Sequence, residues 1–149
     1  MGGPGFDLFE PNSNYVKVYV SKTKFGAGDY RRMVYQAKPR AELDTIFGTF
    51  DCPDAAQVQP RRTVSTTPLQ ALNLLNSAFM LEQSAALAER VEREAGPSTA
   101  ERVQRAYRLA FSRPASAQEI EAAGTFIAAQ GLPAFCRALY NANEFVIIY

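Results

Sequence analysis

RRTVSTTPLQALNLLNSAFMLEQSAALAERVERE, residues Arg61–Glu94, is the stretch that decides the fold. A polar, β-branched approach meets a sharply marked helix start. Thr67 can act as N-cap, Pro68 suits the first helical position, and Gln70 stands three residues after Thr67. The threonine oxygen can then accept from a free N–H of the first turn while the glutamine reaches back to the N-cap N–H. Two helices are expected between Pro68 and Glu94 rather than one. Asn76 can end the first in left-handed geometry, and Ser77 can cap the second. The second carries Ala78, Leu81, Ala85, Leu87, Ala88 and Val91 among charged residues, an apolar stripe suited to facing a core.

The same punctuation continues downstream. Ala95-Gly96-Pro97 closes that helix, and Ser98 with Glu101 forms a second capping box. The helix it opens should bury Val103, Ala106, Tyr107 and Ala110 before Arg113-Pro114 ends it. Ser116 with Glu119 is a third box, opening a helix through Ile120, Ala123 and Ile127 that stops at Gly131. A last helix starts at Leu132-Pro133 and carries Phe135, Leu139, Ala142 and Phe145 at helical spacing. No ordinary strand is expected after Thr67.

Upstream the signals are weaker. Tyr15–Val20 alternates, with Val16, Val18 and Val20 on one face, and reads as a short strand. Asp29–Lys38 fits a helix capped by Asp29 and stopped by Pro39, with a strand through Arg32–Gln36 as the alternative. Asp51–Arg62 reads as a loop. The expected fold is mainly α. An irregular N-terminal third with one or two short strands is followed by a bundle of about five helices. Residues 1–66 are loop-rich and 67–149 helical, within a single domain.

Composition narrows the function by exclusion. The chain has 149 residues, a net charge of +1 and no histidine. Near-neutral charge gives no electrostatic case for nucleic acid or an anionic membrane. A helical nucleic-acid-binding module would rest on helix–turn–helix spacing alone, against the acidic residues on those helices. No stretch has the apolar length to span a bilayer. Without histidine, Ser-His-Asp and Cys-His nucleophiles, the usual zinc sites and histidine ligation of haem have no residues to use. Cys52 and Cys136 can pair in an oxidising compartment or stand as two free thiols.

No catalytic constellation stands out, and no catalytic, metal-ligating or cofactor-binding residue is assigned. Gly2–Gly5 lacks the preceding strand and following Lys-Ser/Thr of a phosphate loop. Asp51 and Asp54, with Glu42 or Asp44, offer too few oxygens for a cation shell, and capping of local turns is preferred. A glycosidase pair such as Glu10 and Asp51 has no cleft to recommend it. Arg61 and Arg62 precede a hydroxyl-rich run and a helix N-terminus, where an anion could bind. Internal bridges to Asp51 or Asp54 are the preferred reading. Gln70, Asn73 and Asn76 recur every three residues, either as a ridge for a partner domain or, as preferred, satisfying backbone groups of a neighbouring loop. The candidate motif and interaction residues are therefore Asp51, Asp54, Arg61, Arg62, Thr67, Gln70 and Asn73.

TTPLQALNLLN, preceded by FDCPDA at Phe50–Ala55 and by Arg61-Arg62, resembles the C-terminal domain of unknown function in exported planctomycete proteins of the PSD type. YRLAFSRPAS, LPAFCRALYNANEFVIIY with its Asn-Glu-Phe, and the opening GGPGFDLFEPNSNYVKVY are similar to other parts of that family. The resemblance implies a C-terminal fragment of a larger exported protein, commonly with a cytochrome c domain upstream. It implies partners among the upstream domains of the same polypeptide and an exported or periplasmic location. This chain has no haem attachment motif, so no cofactor is expected in it. Two readings follow: a non-catalytic structural or interaction domain, and a fragment of a hydrolase or redox enzyme whose active site lies mostly upstream.

Overall fold

The computed structural model describes residues 3–16, 18–39, 48–52, 58, 60–61, 65 and 67–146. The expected architecture is present: two short antiparallel strands near the N-terminus, then a helical bundle. The elements are β1 (Phe9–Pro11), β2 (Tyr19–Ser21), α1 (Pro68–Asn76), α2 (Ala78–Glu94), α3 (Thr99–Phe111), α4 (Ala117–Gln130), α5 (Leu132–Tyr140) and α6 (Asn143–Val146). They fall into two compact units, Met1–Asn73 and Leu74–Tyr149, with the boundary inside α1.

The second unit is a helical bundle built on capped helices. Ser77 is the extended residue between α1 and α2, and its side chain accepts from the Met80 N–H. Both serine boxes close in both directions, Ser98 with Glu101 at α3 and Ser116 with Glu119 at α4. A Cβ at Gly96 would collide with the Glu101 carboxylate that folds back to close the first of these boxes. Gly131 ends α4 at φ 86°, a conformation that favours glycine.

The core of this unit joins α2, α3, α4 and α5. Leu87, Ala88, Val91, Val103, Ala106, Tyr107, Phe135, Cys136 and Leu139 form its centre, and Val91, Val103 and Cys136 are wholly buried. Burial of such side chains contributes roughly 1.5–3 kcal/mol each before entropy is counted.

Several local expectations need correction. The buried face of α2 is Met80, Ser84, Leu87, Ala88 and Val91, while Leu81 and Ala85 point outward. Both stripes have helical spacing, and Ser84 is admitted to the core because its hydroxyl donates to the Met80 carbonyl at 2.6 Å. Positive φ among described non-glycine residues occurs at Asp51 and Ser112, so Asn76 does not end α1 in left-handed geometry. Ser112, at φ 59°, ends α3 ahead of Arg113-Pro114. The last predicted helix divides into α5 and α6 at Asn141, whose side chain donates to the carbonyls of Arg137 and Leu74.

Among its described residues, the first unit has a much smaller core. Phe6, Leu8 and Phe9 are buried, with Phe25, Met33 and Tyr35 packed on them. The strands pair Phe9 with Ser21, Glu10 with Val20 and Pro11 with Tyr19. The predicted Tyr15–Val20 strand is thus shifted towards Ser21, and its valines are exposed: Val16 72%, Val18 53%, Val20 59%. The helix expected over Asp29–Lys38 shrinks to a single 3-10 turn, Met33–Tyr35. Asp29 does not cap forward; its carboxylate accepts from the Gly26 N–H and from Lys22 Nζ. Arg32 is extended, and Gln36 forms an isolated bridge with Phe6.

Candidate functional site

Four of the motif residues, Asp51, Thr67, Gln70 and Asn73, come together at the start of α1. Pro68 starts the helix because it needs no N–H partner there. The predicted capping box forms: Gln70 N donates to Thr67 Oγ1 at 3.3 Å, and Thr67 N donates to Gln70 Oε1 at 3.0 Å. The Gln70 amide then turns to the Gly48–Asp51 turn, donating to the Thr49 carbonyl at 3.0 Å and to Ser65 Oγ at 3.4 Å. One helical turn on, Asn73 Nδ2 donates to Thr49 Oγ1 at 2.7 Å. Gln70 therefore bonds the backbone of a neighbouring loop, as preferred from sequence, whereas Asn73 bonds that loop through the Thr49 hydroxyl. Asn76 stands exposed at the end of α1.

Asp51 closes the other side. It accepts from Ser65 N at 2.6 Å and from Ser65 Oγ at 2.8 Å. Its backbone is left-handed, φ 54°, a conformation that aspartate tolerates better than most residues. Of the bridges from Arg61 and Arg62 to Asp51 or Asp54 preferred from sequence, the Asp51–Arg61 one is absent: Ser65 occupies the carboxylate and Arg61 is exposed. Asp54, Arg62, Glu42 and Asp44 lie outside the described residues.

A second polar centre lies in the helical unit, and sequence reasoning missed it. Arg113 donates to both Glu119 oxygens, at 3.0 and 2.7 Å, and to both Glu144 oxygens, at 2.6 and 2.8 Å. Its guanidinium also lies 5.2 Å from the Tyr107 ring centroid and 5.7 Å from that of Phe111. Hydrogen bonds from Arg113, then from the Ser116 backbone, pull the Glu119 carboxyl down to about 2. Arg113 likewise lowers Glu144. The planar fork of arginine suits this double bidentate clamp between the end of α3, the start of α4 and α6. Glu144 belongs to the Asn-Glu-Phe run near the C-terminus.

Residues 1–127 match the PSD1 family, described as protein of unknown function (DUF1553). The chain belongs to the PSD1 family. No curated protein and no solved structure matches it.

This PSD1 chain also carries two free thiols, Cys52 and Cys136. Cys136 is buried on α5, and desolvation pushes its thiol up to about 12, which keeps it protonated. Cys52 is half-buried, with Lys38 Nζ donating to Sγ at 2.6 Å. An open depression beside the α2–α3 connection contains Glu94, Glu101, Gln104, Arg105 and Arg108. Its carboxylates are already engaged: Glu94 by Arg90 and Arg105, Glu101 by Ser98. Among the described residues, no group of three or more Cys, Asp or Glu could hold a metal ion, and no helix is long and apolar enough to cross a membrane.

Proposed function

We propose that this PSD1 chain is a non-catalytic structural or interaction domain of a larger exported protein, working beside upstream domains of the same polypeptide. One observation carries the reading. Four polar residues of the motif, Asp51, Thr67, Gln70 and Asn73, make their hydrogen bonds within the chain, to Ser65, to each other and to Thr49. Asp51, Ser65, Thr49, Thr67, Gln70 and Asn73 bond one another or the adjacent backbone. A hydrolytic site needs a nucleophile or carboxylate aimed at a substrate; here the best candidate carboxylate is an internal acceptor. The planctomycete and cytochrome-associated setting rests on the sequence resemblance, and the exposed valines of the hairpin are compatible with a covered neighbour.

The test uses the purified chain, offered sulfated and neutral polysaccharides, with Asp51→Asn and Arg61→Ala melted in parallel. The expected result is no turnover by any form, a lowered midpoint for Asp51→Asn, and little change for Arg61→Ala. Turnover lost in Asp51→Asn at unchanged stability would overturn the proposal in favour of an enzyme fragment.

A further inference from the structure

We draw no further inference here: the strongest candidate, the exposed valine face and open outer edge of the β1–β2 hairpin at Val16, Val18 and Val20, belongs to the reading already given, and nothing in the structure shows what covers it.

Discussion

The two units of this chain are held together by different means. Leu74–Tyr149 has a contiguous apolar cluster drawn from four helices, and its polar contacts mostly cap or clamp helix ends. Among its described residues, Met1–Asn73 has three buried apolar side chains, a hairpin of two three-residue strands, and a polar network at Asp51, Ser65 and Gln70. Apolar packing is non-directional and scales with area, whereas a hydrogen bond contributes only about 0.5–1.5 kcal/mol net. The helical unit should therefore withstand the loss of a polar contact better than the loss of a core side chain. The N-terminal unit should be sensitive to single polar changes.

The largest effect tests the helical unit. Phe135→Ala removes a buried ring from the centre of α5 and should cost about 3–5 kcal/mol in chemical denaturation followed by far-UV circular dichroism. Phe9→Ala, in the smaller cluster, should alter hairpin amide protection while leaving the helical melt nearly in place. Equal losses of helical signal in the two variants would break the contrast between the units.

Next comes the Arg113 clamp. Arg113→Ala should lower the helical midpoint by less than Phe135→Ala and by more than the loss of one cap. Its carboxylate partners also set an acid dependence. Glu119 titrates at about 2 in the fold against an ordinary glutamate value of 4.5. A depressed folded value means stability that is present above about pH 4.5 and is lost as pH falls towards 2. Melting between these pH values should show a steeper fall for the wild type than for Glu119→Gln. Parallel curves would remove Glu119 from the linkage.

Asp51→Asn tests the polar network of the first unit. It removes the charge on the acceptor of the Ser65 bonds while retaining a residue that tolerates left-handed backbone, and should cost about 1.5–3 kcal/mol of local stability. Exchange of the Ser65 and Thr67 amides should quicken. Unchanged protection would mean that the Asp51 charge does not hold Ser65.

Much of the helical unit was legible because its signals are local. Each serine box spans three residues, so Ser98 with Glu101 and Ser116 with Glu119 announce themselves in the sequence. Arg113 and Glu144 are 31 residues apart, and no periodicity joins them. The face of α2 was misread because two stripes share the helical period, and Ser84 enters the core only by bonding the Met80 carbonyl. Asp29 looked like a forward cap, but Gly26 and Lys22 draw its carboxylate backwards, and the expected helix is reduced to a 3-10 turn. At the motif, the capping box was readable, and so was the inward turn of Gln70 and Asn73. The choice of Ser65 over Arg61 as partner of Asp51 was not, because Asp51 and Ser65 are 14 residues apart and no local signal joins them.

The smallest effect probes the junction at which the contrast begins. Thr67→Ala removes the Oγ1 acceptor for Gln70 N but leaves the Gln70 side chain free to accept from the residue-67 N–H. One half of the capping box is lost, so the cost should be about 1 kcal/mol. Gln70→Ala removes the other half and also both bonds from the amide to Thr49 and Ser65. If the motif serves chiefly to start a helix, the two variants should shift the denaturation midpoint alike. If it serves to hold the loop, Gln70→Ala should cost more and should also quicken exchange at Ser65, which Thr67→Ala would leave protected. The network predicts the second pattern: the glutamine is the side chain that joins the helix cap to the Gly48–Asp51 turn.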